Sequence, residues 1–591
     1  MFERRHALIV VAVFVVVALG CLWGGAVPEA AAQTIQVLSA YPDTAEQGTL
    51  SLPVTIKGNG FKKGAKAKFY LPNTSDTGGI TVSSTRFIDS TQLVATIDVA
   101  GTATVAKFDI VVANTDGRTG KGTEMFTVQK KVDPCMVPDP VPTRTALTAD
   151  VAGFPGFLDG RFGAGTGQVV SPLGFRGFQR TGVAIQVVGG ERKIVAAGVM
   201  NDSYCTNDGQ TTLKWAVVRY RPDGSRDTSF GNGGVVTTVF TGGSAYAADL
   251  AIDALNRIVV VGAAPAKRGT GRIPTAVRYK ENGSVDTTFG SGGVAAIPFG
   301  RDNGYANTVA VQADGKIVIV AEVTDAPHLA VIRLDNLGAL DSSFNGTGKF
   351  VDARAAVSFG LNVTTQWIGT EQRIVVAGRF ADTSFNTHWI GALWRFTSTG
   401  ALDSGFGSGG VALTDFNPTG RYEDSATHYD VAVDGMNRLV VAVNLSTWQP
   451  AAGRSLNEVA VARFLETGSP DATFGITGMT ILPSSTSGSY GSFARALAVQ
   501  RDGRIVVVGT TYPGSDSDPS ELAAWRIAGD GVLDVSFGNG GWISHPVTTE
   551  PRSAVSLDGL VEAPDGTFVA AGNAWFGEGW ITYGFLARFW Q

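Results

Sequence analysis

The chain has 591 residues, of which 44% are apolar and 17% are charged, and it contains 76 glycines. An average soluble domain has roughly 25% charged residues and ~7% glycine, so this composition is typical of a turn-rich β protein rather than a helix bundle or coiled coil. The 47 basic residues are balanced by 52 acidic ones, which leaves no positive excess to bind phosphates. Nucleic-acid binding as the main function is therefore disfavoured, and we expect no nucleic-acid partner.

Residues 1–32 have the order of a secretory signal peptide. Two arginines precede an apolar run from Ala7 to Trp23, and three alanines at 30–32 precede Gln33. Two alternatives stay open: an uncleaved anchor, because a spanning helix needs at least about 17 residues, and lipidation at Cys21. The alanine site favours cleavage, after which we expect no transmembrane anchor. The mature protein is then secreted, periplasmic or attached to the cell surface.

Residues 33–131 read as short alternating strands separated by turns, which predicts a small Ig-like β-sandwich. The run Val54–Phe61, the segment Asp89–Leu93 and the turn Asn114–Arg118 resemble the IPT/TIG family of Ig-like modules. The resemblance implies a spacer or a protein-binding module and no catalytic residue. Four closely spaced prolines between 134 and 142 then predict an extended linker over residues 132–150.

Two cysteines, Cys135 and Cys205, remain after the signal segment. Export would permit a disulfide between them, tying the linker to the first repeat. Sequence cannot supply the close approach that a disulfide needs, so a bridge and two free thiols both stay open. No neighbouring histidine points to a catalytic thiol.

From residue 151 to Gln591, one unit recurs seven times at a mean spacing of about 62 residues, marked by Asp-x-x-Phe. The unit reads as strand, tight turn, strand, strand, marker and a short fourth strand, as in Val309–Ala321 for the first two strands. Four strands in each of seven units predict an all-β chain whose larger part is a seven-bladed β-propeller. The marker phenylalanines are Phe162, Phe230, Phe289, Phe344, Phe406, Phe474 and Phe537.

The two ends of the repeat region predict how the ring closes. A lone fourth-type strand, Gln168–Ser171, follows the first marker, while the last unit stops after its third strand, so the early strand can complete the last blade. In the other units a third-strand arginine precedes the next marker aspartate by eight residues, as Arg219 precedes Asp227. Arg588 and Asp159 have no such neighbour, so we predict that they pair across the closure.

These repeated aromatic and charged positions are expected to serve packing and turn formation rather than chemistry. The residue after each marker phenylalanine is glycine in six units and Asn345 in the other, which predicts a left-handed backbone conformation there.

The segment Ala216–Gly234 reads AVVRYRPDGSRDTSFGNGG and resembles the delta-60 repeat, a propeller-type repeat of bacterial surface and secreted proteins. The resemblance extends over about Leu158–Gln591, with Asn345 as a departure in one copy. It implies the propeller fold and implies no activity and no catalytic residue.

Loop lengths vary on one predicted face only. The connections between strands two and three, and between strand four and the next strand one, differ in size, and an up-and-down blade places both on the same face. That face carries aromatic residues that suit a saccharide or protein ligand. The candidate binding residues are Tyr246, Tyr305, Trp389, Tyr422, His428, Tyr429, Trp448, Tyr490, Trp575 and Trp580.

The sequence therefore favours a non-catalytic binding or scaffold protein. The alternative is an extracytoplasmic polysaccharide hydrolase or lyase at the mouth of the channel, which would need two or three converging carboxylates or histidines near the axis. We assign no catalytic residue. The acidic loop at 516–521 lacks the full calcium-loop pattern, so we expect no metal and no cofactor.

Overall fold

The computed structural model describes residues 34–100, 103–129, 157–171, 181–201, 213–266, 271–299, 304–324, 327–354, 357–381, 389–414, 425–449, 454–484, 491–512, 519–547, 553–563, 565–576 and 581–590. These ranges contain strands and turns and no α-helix, and no membrane-spanning helix is found among them. The predicted signal peptide, the linker at 132–150, Cys135 and Cys205 lie outside them. The chain divides into two compact units, Met1–Asp133 and Pro134–Gln591.

The first unit consists of two four-stranded sheets with the orders β1-β3-β6-β5 and β2-β8-β7-β4. Apolar residues that alternate along the strands meet between the sheets, as Ile56 and Leu93 do with Phe108 and Phe126. The strands are β1 (Gln36–Tyr41), β2 (Thr44–Glu46), β3 (Leu52–Asn59), β4 (Lys66–Tyr70), β5 (Ile80–Asp89), β6 (Gln92–Val99), β7 (Lys107–Ala113) and β8 (Thr119–Gln129).

The second unit begins with β9 (Gln168–Ser171), after which strands follow in groups that we number repeats 1 to 7. Repeats 1 and 2 are β10 (Gly182–Val188), β11 (Glu191–Asn201), β12 (Leu213–Tyr220), β13 (Val235–Thr238), β14 (Tyr246–Ile252), β15 (Ile258–Pro265), β16 (Arg272–Tyr279) and β17 (Val294–Ala296). Repeats 3 and 4 are β18 (Gly304–Val311), β19 (Ile317–Thr324), β20 (Pro327–Leu334), β21 (Lys349–Val351), β22 (Val357–Ile368), β23 (Glu371–Ala381), β24 (Ile390–Phe396) and β25 (Val411–Thr414).

Repeats 5 and 6 are β26 (Ser425–Val433), β27 (Leu439–Gln449), β28 (Arg454–Phe464), β29 (Met479–Ile481), β30 (Gly491–Val499), β31 (Ile505–Tyr512), β32 (Glu521–Ile527) and β33 (Trp542–Pro546). Repeat 7 has β34 (Ala554–Glu562), β35 (Phe568–Phe576) and β36 (Ile581–Phe589).

Each repeat is an antiparallel sheet with its strands in chain order. Repeats 5 and 6 are joined into one eight-stranded sheet by a single parallel pair, Asn457 with Gly491. Repeat 7 takes its fourth strand from the start of the region, because β9 pairs with β36 from Gln168 opposite Ala587 to Ser171 opposite Gly584. This strand exchange is the one that the sequence predicted.

The sheets pack face to face around a closed cycle. The first strands of successive repeats contact one another, and β34 of repeat 7 also contacts β10 of repeat 1. Apolar side chains fill the space between neighbouring sheets; Val261 and Phe289 of repeat 2 pack with Ile319 and Ile332 of repeat 3. All seven marker phenylalanines are fully buried in these layers, as expected for structural residues. The arrangement is a β-propeller.

Five of the six internal third-strand arginines tie their own repeat to a neighbouring turn through Nη1; Arg526 is the exception, because its Nη1 has no partner among the described residues. Arg219 Nε donates to Asp227 Oδ2 at 2.8 Å, and its Nη1 donates to the carbonyl of Glu281 in repeat 2 at 2.6 Å. Burial opposes the charge on Asp227, but hydrogen bonds from Ser229 and the charge of Arg219 keep the pKa of Asp227 below its usual value. The same Nε contact is present at Arg278, Arg333, Arg395, Arg463 and Arg526.

The predicted pair across the closure is formed. Arg588 Nε donates to Asp159 Oδ2 at 2.7 Å, although the two residues are 429 positions apart. Nη1 of Arg588 also donates to the carbonyl of Pro222 in repeat 1. Arg588 of the last repeat therefore contacts an aspartate and a carbonyl of the next repeat, as Arg219 does.

The left-handed position after the marker phenylalanine is also confirmed. Asn345 has φ of 50°, beside 53° for Gly231 and 54° for Gly290 at the equivalent place. Its side-chain amide donates to the carbonyl of Lys349 at 2.8 Å, which helps to hold the residue in this conformation.

Candidate functional site

The first strand of repeats 2 to 7 contains a β-bulge at the same place. The pairing register with the second strand shifts by one residue there, for example between Ala247 and Asp249 in β14. Strand β10 of repeat 1 pairs without a shift. A bulge inserts one extra residue into the strand and redirects its side chain. The six extra residues are Ala248, Asn307, Leu361, Tyr429, Arg495 and Asp558.

All six bulge residues line one cavity of about 390 Å³ in the propeller. The cavity lies at the ends where first strands begin and second strands finish, since its lining includes Tyr246 at the start of β14 and Trp575 near the end of β35. This is the side on which the variable connections emerge. Its volume falls in the range of roughly 300–1,000 Å³ that small-molecule sites occupy.

Four of the aromatic residues predicted from the sequence meet in this cavity: Tyr246, Tyr305, Tyr429 and Trp575. Two of them are fixed by one arginine. Arg272 Nη2 donates to the hydroxyl of Tyr246 and Nη1 to that of Tyr305, both at 3.1 Å. The guanidinium carbon also lies 4.5 Å from the centre of the Tyr246 ring, a cation–π distance. The tyrosine rings are therefore held in place before any ligand arrives.

A second arginine, Arg379, lines the cavity from β23. Its guanidinium carbon lies 4.2 Å from the ring centre of Trp389, another predicted residue, and 4.7 Å from that of Phe359. Its Nε is buried and has no hydrogen-bond partner among the described residues. Burial lowers the pKa of Arg379, while Tyr429 and Glu322 act in the opposite direction. An arginine nonetheless stays protonated at neutral pH.

A third arginine, Arg495, is the bulge residue of β30 and donates from Nη1 to the hydroxyl of Tyr429. Burial works against its charge, but Tyr429 and Asp558 together raise the pKa of Arg495 above the usual value. The hydrogen bond orients the Tyr429 ring, whose centre is 5.0 Å from the guanidinium carbon.

Two carboxylates complete the lining, and their surroundings differ. Asp558 accepts from Ser556 Oγ at 2.8 Å and from Asn573 Nδ2 at 3.1 Å, so its charge is compensated by hydrogen bonds. Glu322 lies in β19 opposite Tyr305. Burial raises the pKa of Glu322, and the nearby Arg379 offsets only part of this effect.

Two predicted binding residues lie elsewhere. His428 does not face the cavity: it is fully buried, its ring is 5.6 Å from that of Phe464, and burial lowers its pKa to about 3. Its strand position turns the side chain into the interior, so it is not one of the residues that line the cavity. Trp448 lies in β27 opposite Ser455 and is not among the residues that line the cavity. The remaining predicted binding residues, Tyr422, Tyr490 and Trp580, fall outside the described ranges.

Sequence reasoning missed four charged residues of the cavity lining and the arginine behind its tyrosines, namely Arg379, Arg495, Glu322, Asp558 and Arg272. A signal for two of them was present. Aligning the first strands gives Tyr-Ala-Ala, Tyr-Ala-Asn, Phe-Gly-Leu, Thr-His-Tyr, Phe-Ala-Arg and Ser-Leu-Asp before a more regular apolar stretch. The third position of each triplet is the bulge residue, and its chemistry changes in every repeat. Arg379 and Glu322 carry no comparable signal.

No group of three or more His, Cys, Asp or Glu side chains is placed to hold a metal ion within the ranges given above.

Comparison with known proteins supports the fold. Residues 192–230, 312–344 and 500–537 match a family model described as a domain of unknown function (DUF5122) beta-propeller. The matched segments fall in repeats 1, 3 and 6 and each ends at or beside a marker phenylalanine. No curated protein matches the sequence.

Several solved structures are similar at low identity. A PL25 polysaccharide lyase, an ulvan lyase, has 12% identity and a TM-score of 0.38, and the match covers 68% of this chain and 93% of the lyase. The leech intramolecular trans-sialidase has 12% identity and a TM-score of 0.34, with 95% of each chain covered. Drosophila Plexin A in complex with Semaphorin 1b has 10% identity and a TM-score of 0.32, covering 71% and 86%. Similarities of this size support no substrate or activity for this chain. Its larger part is an all-β propeller, and segments of three repeats match the DUF5122 model.

Proposed function

We propose that this protein is a secreted or cell-surface binding protein that captures a saccharide in the cavity lined by the bulge residues. The observation that carries the proposal is the convergence of four predicted aromatic residues with charged side chains from several repeats in one cavity of about 390 Å³. Aromatic faces with fixed polar groups beside them are the surfaces that bind sugar rings.

The cavity is organised before binding. Tyr246 and Tyr305 are held by Arg272, and Tyr429 by Arg495, so little side-chain freedom remains to be lost when a ligand enters. A volume of this size suits one or a few sugar rings rather than a folded domain. A peptide segment is the other ligand class, and it is one outcome of the test below.

The proposed organisation of the rest of the chain follows from the family resemblances of its sequence. The propeller is proposed to be seven-bladed and built from delta-60 repeats, the first unit to be an Ig-like IPT/TIG module that acts as a spacer, and residues 1–32 to be a cleaved signal peptide. Mass spectrometry of the exported chain tests the last point, with Gln33 expected at the mature N-terminus.

A glycan and peptide array on the purified mature protein tests the binding proposal. Replacing Trp575 with alanine should abolish the signal, because it removes one aromatic wall of the cavity. Trp367→Ala is the matched control: Trp367 is 50% exposed and lies beside the hairpin between strands one and two, away from the cavity. If Trp575→Ala binds as the wild type does and folds normally, the site is elsewhere. Signals from peptides alone would assign the cavity to a protein ligand.

A second candidate is the polysaccharide hydrolase or lyase. The observation in its favour is that two carboxylates, Glu322 and Asp558, line the cavity in different electrostatic surroundings, with the pKa of Glu322 raised by burial. Products of the bound glycans, analysed by mass spectrometry, separate the two functions. Turnover that Glu322→Gln removes while binding persists would make the protein an enzyme.

A further inference from the structure

Three arginines surround the cavity, and each has a buried Nε with no hydrogen-bond partner among the described residues: Arg272, Arg379 and Arg495. An unsatisfied N–H of a buried cation is costly, because the group loses its water without gaining an acceptor. The tyrosine hydroxyls satisfy part of Arg272 and Arg495. Arg379 differs, since no described carboxylate or hydroxyl accepts from it.

The residues around Arg379 determine from which direction a ligand can reach its guanidinium group. The rings of Trp389 and Phe359 both lie within cation–π distance of its guanidinium carbon, at 4.2 and 4.7 Å. Aromatic rings stabilise the faces of a guanidinium, whereas its N–H groups point outward in the plane. Those in-plane groups form the fork that binds a carboxylate or a sulfate through two parallel hydrogen bonds.

No acidic residue of the cavity forms a close ion pair with Arg379 among the described residues. Asp558 is held by Ser556 and Asn573, and Glu322 forms no ion pair with Arg379 within the described residues, although the two charges interact at longer range. Burial raises the pKa of Glu322, and Arg379 offsets part of this effect.

We infer that the cavity recognises an anionic group, a carboxylate or a sulfate on the captured sugar, through the guanidinium of Arg379. The inference rests on the proposed function and narrows it from saccharides in general to acidic ones. The sugar ring would contact the tyrosines that Arg272 holds, and the acid group would reach the N–H edge of Arg379. Arg379 is then the residue that decides between acidic and neutral sugars.

Isothermal titration of the full mature chain tests this with three related probes: D-galacturonate, galactose 6-sulfate and D-galactose. Wild type should bind at least one acidic probe about tenfold or more tightly than galactose, and the better of the two identifies the acid group. Arg379→Gln should reduce that preference to about one, while Arg379→Lys keeps part of it. Arg192→Gln, an exposed arginine in the hairpin of repeat 1, is the control and should behave as wild type.

Equal affinity of the wild type for the acidic and neutral probes overturns the inference, and this result does not depend on how the variants fold. Unchanged preference in a folded Arg379→Gln overturns it as well. Galactose binding that Trp575→Ala removes, without any acid preference, would leave the capture function standing and refute only the anion. If sulfate or acetate binds in a way that needs Arg379 and no sugar binds at all, the anion site would stand and the capture of a saccharide would be refuted.

Discussion

Arg588 and Asp159 lie 429 positions apart in the chain and form a buried ion pair at 2.7 Å. Their geometry reproduces that of Arg278 and Asp286, which are eight positions apart within one hairpin and meet at 2.8 Å. The same arginine–aspartate contact therefore occurs seven times. In six cases it is local, and in the seventh it joins the two ends of the second unit. The closing strand β9 depends on it and on four backbone pairs with β36.

Replacing Arg588 with methionine should destabilise the propeller by about 1–3 kcal/mol, because the buried Asp159 loses one of its two charged donors and keeps only Arg161. Arg278→Met removes the equivalent internal contact and should cost a similar amount. Only Arg588→Met should speed hydrogen exchange at the amides of residues 168–171, since only that variant releases β9. Exchange of these amides at wild-type rates in Arg588→Met would show that the pair does not secure the closure.

Gly391 makes room for His428. A Cβ built on Gly391 would lie 2.4 Å from Nε2 of the buried imidazole, a distance that real Cβ atoms do not adopt. Gly391→Ala should therefore lower the free energy of unfolding by about 1–3 kcal/mol through overpacking. Gly435→Ala is the matched control, because nothing lies within 4 Å of its added Cβ, and it should change stability by less than about 0.5 kcal/mol. Urea unfolding of both variants measures the difference, and equal stabilities would contradict the packing.

The burial of His428 predicts a pH dependence. The pKa of its imidazole is lowered from 6.5 to about 3, so between these values the unfolded chain binds a proton that the folded chain does not. The contribution of this imidazole to the free energy of unfolding is fully present above pH 6.5. It decreases as the pH falls, and about 2 kcal/mol is lost at pH 5.

His428→Gln cannot titrate, so the stability difference between wild type and this variant should shift by that amount between pH 7 and pH 5. Buried carboxylates contribute equally to both proteins and cancel in the comparison. A stability difference that stays constant over this range would mean that the histidine is not protected from protons.

If the bulges set the strand register, substituting a bulge residue should affect stability much less than deleting it. Ala248→Ser keeps the backbone of β14 and adds only a hydroxyl in the cavity, so its melting temperature should stay within a few degrees of wild type. Deleting Ala248 removes the extra residue, and a one-residue slip turns the preceding side chains to the opposite face. Tyr246 would then be directed toward the packed layer that now holds the fully buried Ala247. Differential scanning calorimetry should find the deletion variant strongly destabilised or unfolded. A deletion variant as stable as Ala248→Ser would show that the bulge does not set the register of β14.

Much of the propeller could be predicted because its signals are local and repeated. The Asp-x-x-Phe marker, the arginine eight residues before each aspartate and the left-handed position of Asn345 each follow from one repeat read against the others. The closure by β9 followed from counting strands. Tyr246, Tyr305, Tyr429 and Trp575 were predicted from the placement of variable connections, and they do meet.

The composition of the cavity could not be predicted, because it depends on which way single residues turn at the bulges. His428 and Tyr429 are neighbours in sequence, yet one is buried in the interior and the other lines the cavity. The partners that decide this lie on other strands: Gly391 and Phe464 for the histidine, and Arg495 of the next repeat for the tyrosine. Alternation along one strand does not contain that information.

The most direct test of the central claim is a crystal structure of the mature protein with the sugar that binds most tightly. We predict the sugar ring against Tyr246 and Tyr305, with its acid group within hydrogen-bond distance of Arg379. Density for the ligand on the outer surface of the sheets, with an empty cavity, would contradict the account.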